Sequence, residues 1–143
     1  MRFLLSPLIL AVLLAASGCA TLATPETDGL AKLMRPVEGK AIIYVFRNEE
    51  YSAPFKIGMS LDGNNMGSTI ANTYFRWSVE PGQHILVSHS QNDAPLVLNT
   101  EAGKVYYVWQ DVSMGFFGPR TDLRRVDRST AEIALRSCYL LRG

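Results

Sequence analysis

The run Phe55-Lys56-Ile57-Gly58-Met59-Ser60-Leu61-Asp62-Gly63-Asn64-Asn65-Met66-Gly67-Ser68-Thr69 decides the fold class. Phe55, Ile57, Met59 and Leu61 alternate with Lys56, Gly58, Ser60 and Asp62, which is the period of a strand with one face in a core. Asp62-Gly63-Asn64-Asn65 is turn chemistry, and Met66 to Thr69 returns as a short strand. A helix cannot present such a pattern on one side.

The same grammar repeats in both directions. Ala41 to Arg47 is apolar almost throughout, as in a buried strand. Thr73 to Glu80 places Phe75, Trp77 and Val79 on one face, and Pro81-Gly82 turns the chain into His84 to His89, with Ile85 and Val87 on one side. Leu96 and Leu98 begin another strand, Ala102-Gly103 turns it into Val105 to Asp111, and Leu123 and Val126 mark a short last one. Short strands spaced in this way predict a mainly β protein: an antiparallel β-sandwich, PEGA-like or immunoglobulin-like, with a short C-terminal helix. The helix is expected behind the capping box Ser129-Thr130-Ala131-Glu132, with Ala131, Ala134, Leu135, Cys138 and Leu141 on one face. Tyr139-Leu140-Leu141 also reads as a strand.

Upstream, Arg2 precedes an apolar stretch from Phe3 to Ala16 and then Ala16-Ser17-Gly18-Cys19. Charge, apolar run and small residues form a cleaved secretory signal, too short to span a bilayer, which takes about 20 apolar residues. The cysteine directly after small residues resembles a bacterial lipoprotein signal. That resemblance implies a lipid on Cys19, cleavage before it and usually three acyl chains, palmitate among the expected types, enough for lasting attachment. Ala20 in place of Asp implies sorting to the outer membrane, with the domain in the periplasm. Secretion after Ala20 or Ala23 is the alternative. The expected organisation is a signal over 1–18, a lipidated N-terminus and tether over 19–39, and a β-sandwich over 40–143. Thr24-Pro25-Glu26-Thr27-Asp28-Gly29 reads as linker. Leu30, Leu33, Met34 and Val37 have the spacing of a short helical turn, ended by Pro36.

In chain order, Gly39-Lys40-Ala41-Ile42-Ile43-Tyr44-Val45-Phe46-Arg47, Leu61-Asp62-Gly63 with Gly67, Tyr74-Phe75, Pro81-Gly82-Gln83-His84 and Ala102-Gly103-Lys104-Val105-Tyr106-Tyr107-Val108 resemble an uncharacterised family of short bacterial lipoprotein domains of unknown function. The Leu-Asp-Gly and Pro-Gly-x-His steps are similar to PEGA-type β-sandwiches. The resemblance implies an all-β envelope domain and no particular reaction.

Without the signal, 13 basic residues face 13 acidic ones, since Arg2 leaves with it from a total of 14. Near-zero charge offers no general basis for binding nucleic acid. Locally, Arg120, Arg124, Arg125, Arg128, Arg136 and Arg142 meet three acids from residue 119 onward, a positive segment that suits anionic lipid headgroups or a partner's acidic patch, or pairs with the protein's own acids. With Cys19 lipidated, Cys138 has no intramolecular partner; it is either buried and inert or bonded to another chain.

Catalytic patterns are sparse. His84 and His89 are five apart on one expected strand and point to opposite faces, so they cannot share a metal. A turn-side hydrogen-bonding role is expected for His84 and exposure for His89. Glu49-Glu50 reads as a solvated turn. No Gly-x-Ser-x-Gly elbow or phosphate-cradling loop occurs, and no cofactor or metal is expected. Met114-Gly115-Phe116-Phe117-Gly118-Pro119 is the segment placed for contact, its two phenylalanines either meeting a partner or the membrane surface or folding back as a cap. Tyr74, Trp77, Tyr106, Tyr107 and Trp109 either fill the core or line a groove. A non-catalytic, lipid-anchored accessory domain contacting an envelope protein through Phe116, Phe117, Arg124 and Arg125 is therefore expected. The alternative is a module that binds a glycan or peptide.

Overall fold

The structure, a computed structural model, describes residues 21–51 and 54–142; the signal and Cys19 lie outside the described residues. Nine strands form two sheets, one of five strands in the order β8-β7-β1-β4-β9 and one of four in the order β3-β2-β5-β6. The strands are β1 (Ala41–Arg47), β2 (Ile57–Leu61), β3 (Asn64–Thr69), β4 (Thr73–Val79), β5 (Gly82–His89), β6 (Asp93–Thr100), β7 (Val105–Gly115), β8 (Gly118–Val126) and β9 (Tyr139–Leu140). Two helices accompany them among the described residues, α1 (Pro25–Ala31) and α2 (Arg128–Leu135). The mainly β sandwich with a C-terminal helix is as the sequence indicates.

The β2–β3 turn is tighter than its sequence suggested. Leu61 pairs with Asn64, leaving Asp62 and Gly63 as a two-residue turn. Both have positive φ, 50° and 80°. That is the type I′ geometry whose twist matches a hairpin, and it explains Asp-Gly at this point.

Strand β1 is buried on both faces and separates two cores. Ile43 and Val45 join Met59, Leu61, Phe75, Trp77 and Leu86 between the sheets. Ile42, Tyr44 and Phe46 pack outward with Tyr74, Ala31, Met34, Ala131 and Leu135 under the helices. A strand covered on both sides must be apolar in every position, as Ala41–Phe46 is.

The antiparallel expectation needs one correction. β1 pairs antiparallel with β4 but parallel with β7, and β4 pairs parallel with β9. Parallel neighbours require a long crossover, and here the connection from β1 to β7 passes through the entire second sheet.

Both helices differ from expectation in position. Pro25 occupies the first turn of α1 and the side chain of Thr24 accepts from the Thr27 amide, so the residues read as linker begin a helix. Met34, at φ 51°, ends that segment. In α2 the cap is Asp127, accepting from the Thr130 amide, rather than Ser129. The helix buries Ala131, Ala134 and Leu135 and stops before Cys138, so Tyr139-Leu140 becomes strand.

In β5 the inward residues are Leu86 and Ser88, so Ile85 and Val87 face outward. Ser88 belongs to a buried polar chain: Gln110 Nε2 donates to Ser88 Oγ at 2.7 Å, Thr69 Oγ1 donates to Gln110 Oε1 at 2.5 Å, and the hydroxyls of Ser88 and Thr121 are 2.6 Å apart. Each of these four side chains finds a partner in the others, as burial demands.

Candidate functional site

Strands β7 and β8 are longer than their neighbours and run on past β1 as a hairpin held at Pro119 by the Gln91 amide, 3.2 Å away, with Gly115 paired to Gly118 and Phe116-Phe117 at the tip. Gly118 takes a φ of 137°, a backbone that side chains rarely adopt, so the phenylalanines need not. Phe116 and Phe117 are 96% and 84% exposed. Their rings meet edge to face at 4.9 Å between centroids. They do not fold back over the sandwich. Such a pair of bare aromatics is the kind of anchor that protein contacts are built around.

Arg124 and Arg125 are not beside the tip. Arg124 pairs with Trp109, six residues down the ladder from Gly118 and so about 20 Å away. Adjacent on one strand, the two arginines point to opposite faces. Arg124 lies 4.8 Å from the Trp109 ring centroid and bonds Asp111 at 3.1 Å; Arg125 lies 4.9 Å from that of Tyr106. They cover aromatic surface of their own domain, so the four residues expected to act together do not form one surface.

Tyr74, Trp77, Tyr106 and Tyr107 are core residues. Trp109 is half-buried, stacked on Phe46, and borders a shallow recess of about 190 Å³ with Ile133.

His84 has the turn-side role. Its Nδ1 is 2.6 Å from Asp62 Oδ2 and its Nε2 is 2.6 Å from the Glu80 carbonyl. Two acceptors facing one ring select the doubly protonated form. Burial lowers its pKa, but the bonds to Asp62 and Glu80 outweigh that and the net shift is upward. His89 faces the other side of the sheet. Its Nδ1 is 2.8 Å from Asp93 Oδ1 and its Nε2 is 2.9 Å from Ser60 Oγ, the order of a Ser-His-Asp relay. The Asp93 side chain is 72% exposed, and Ser60 lies beside a bulge in a strand paired on both sides, where it lines an open recess of about 600 Å³ together with His89. Water reaches the aspartate and screens its hold on the imidazole, unlike the buried aspartate of a catalytic triad. Among the described residues, no group of three or more His, Cys, Asp or Glu is placed to hold a metal.

Cys138 is buried, and its thiol donates to the Ala134 carbonyl at 3.4 Å. Burial pushes its pKa up to about 11. A thiol so protonated is a poor nucleophile.

In addition to the Ser60-His89-Asp93 chain, sequence reading missed a groove. Beside the first described residues, an open groove of about 500 Å³ runs between α1 and β9, lined by Ala23, Leu30, Arg76, Leu140, Leu141 and Arg142 among others. The signal for it is Arg76, whose charge interrupts the apolar run of β4. The groove's edge is built on Asp28, which accepts from the Tyr74 hydroxyl at 2.8 Å and the Leu140 amide at 2.9 Å while pairing with Lys32 at 2.8 Å.

The family model described as "Protein of unknown function (DUF2846)" matches residues 37–120, from just before β1 to the start of β8. The chain is also similar to a Haemophilus influenzae protein named "Uncharacterized protein", 27% identical over 131 residues that cover 89% of this chain and 78% of the relative. No solved structure matches the chain significantly.

Proposed function

The chain belongs to the DUF2846 family of proteins of unknown function, and we propose that it is a non-catalytic, lipid-anchored lipoprotein of the bacterial outer membrane whose sandwich contacts another envelope protein through the Phe116-Phe117 tip. The observation that carries this reading is the tip itself, two phenylalanines 96% and 84% exposed at the end of a projecting hairpin. The lipobox Ala16-Ser17-Gly18-Cys19 supplies the anchor.

The tip and Thr21, the first described residue, lie far apart along the five-stranded sheet, which supports a protein partner over the protein's own membrane. Leu22 bridges to Leu141, and the Arg142 amide bonds to Thr21, which puts Thr21 level with Arg76 and, across the sheet, with Tyr107. The chain from Thr21 to Ala23 runs in the direction of β1, toward the tip, so its upstream end leads away. From Tyr107 to Phe116 is nine residues, about 30 Å of strand. Cys19 is two residues from Thr21, within about 7 Å. A membrane holding Cys19 is thus remote from Phe116.

Two measurements test the reading. Cys19→Ala should leave an unprocessed, unlipidated precursor, and a mature mass beginning at any residue other than Cys19 refutes the anchor. Cross-linking in intact membranes should recover a partner at least tenfold less well with Phe116→Ser/Phe117→Ser, in line with the roughly 2 kcal/mol that anchor residues contribute. Equal recovery removes the tip from the interface.

A further inference from the structure

Following from the lipid-anchor reading, we propose that the groove between α1 and β9 is a docking site for anionic phospholipid, which lays this edge of the domain flat on the membrane that holds Cys19. The first argument is reach: Thr21 bonds to Arg142 at the groove's rim, and two residues separate Thr21 from Cys19. An acylated Cys19 puts lipid within about 7 Å of that rim, whatever path those residues take.

The second argument is chemical complementarity. Leu30, Leu140 and Leu141 supply an apolar wall, Arg76 and Arg142 supply positive charge, and none of the lining residues is acidic. Arg76 Nε donates to the Tyr44 hydroxyl at 3.2 Å, which fixes its guanidinium, and neither arginine has an ion pair among the described residues. The nearby acid Asp28 is taken by Lys32. Leucine beside unneutralised arginine suits the boundary between acyl chains and phosphate, and guanidinium matches phosphate in geometry as well as charge. Leu30 of the wall is itself 69% exposed, and Leu22, 47% exposed, extends the apolar surface beyond the groove, on the edge farthest from β8.

Docked in this way, the domain does not swing freely on its tether. The β7–β8 hairpin is then held away from the bilayer, facing across the compartment.

The test uses lipidated protein purified from membranes and placed in phosphatidylethanolamine/phosphatidylglycerol vesicles with brominated acyl chains. A bimane fluorophore is attached to Leu30→Cys or, separately, to Phe117→Cys, the buried Cys138 staying unlabelled. Quenching at position 30 with none at position 117 supports the proposal; equal quenching at both, or none at 30, overturns it. Replacing phosphatidylglycerol with phosphatidylcholine should release position 30. Arg142→Gln, at an exposed site that leaves the fold intact, should lower the ratio of docked to undocked protein about fivefold, and Arg76→Gln/Arg142→Gln about thirtyfold. No change with either variant refutes headgroup recognition. The intact mass of the same sample separates the two ideas. Lipid on Cys19 without quenching at 30 defeats the docking site alone, whereas a missing acyl mass defeats the anchor and the docking site with it.

Discussion

Replacing Arg47 with methionine should destabilise the domain far more than its place at the end of a strand suggests. The side chain is fully buried, although it is charged. Its Nε donates to Glu49 Oε1 at 2.7 Å, and one Nη donates to the carbonyls of Phe55 at 2.8 Å and Thr69 at 3.2 Å. It therefore ties the end of β1 to the segment leading into β2 and to the end of β3. Tyr51, in the same connection, donates to the Val112 carbonyl, so this segment also leans on β7 below the projecting hairpin. Methionine keeps most of the aliphatic volume, so the expected loss is electrostatic rather than a cavity. Breaking a buried ion pair by removing one partner costs about 3 to 5 kcal/mol. Glu49 retains 14% exposure of its side chain, enough for some water to reach it, which places the loss near the lower end, at about 3 kcal/mol. For a domain of this size that is a fall in Tm of roughly 12 °C. Urea denaturation and a thermal melt of wild type, Arg47→Met, Glu49→Gln and the double variant measure it. The double variant should be less damaged than the two single losses added together, because the second change removes the stranded charge. A loss below about 1 kcal/mol in Arg47→Met, or strict additivity, refutes the reasoning and makes the pair dispensable.

Two other outcomes follow from titratable groups. Burial pulls the His84 pKa down, but its bonds to Asp62 and Glu80 together outweigh that and raise it, so the residue contributes stability that is fully present below the unfolded value of about 6.5 and lost as pH rises through the higher folded value. Denaturation midpoints of wild type should therefore fall relative to His84→Gln between mildly acidic and alkaline pH; parallel profiles for the two proteins refute the assignment. Cys138, with a pKa of about 11, should resist iodoacetamide at pH 8, where about one thiol in a thousand is ionised, and become alkylated only in denaturant. Rapid modification of the folded protein, read by mass spectrometry, would show that the site opens.

The features legible in the sequence were those governed by neighbours along the chain. Alternation in Ile57–Leu61 requires one covered face, Asp62-Gly63 supplies two residues that tolerate positive φ, and β1's unbroken apolar run requires cover on both faces. The terminal helix could be read because a cap and a helical apolar stripe lie within a few residues, though Asp127 and Ser129 compete for the cap and only geometry chose between them. The Phe116-Phe117 tip stood out for a similar reason, as two large apolar residues between glycines. Whether it was bare or folded back depended on how far β7 and β8 outrun the rest of the sheet. Other features depended on residues distant in sequence. In Ile85-Leu86-Val87 either side of the strand could be the inner one; Leu86 is inward because Ser88 follows in phase and meets Gln110 and Thr121 from the opposite sheet. Parallel pairing of β1 with β7 leaves no local mark, since it is set by where a chain returns after crossing a second sheet. Arg124 and Arg125 looked like a single basic patch until the pleat put them on opposite faces. The groove between α1 and β9 joins α1 to Arg76 and Arg142 across more than a hundred residues of chain, and only the folded edge brings that charge and those leucines together.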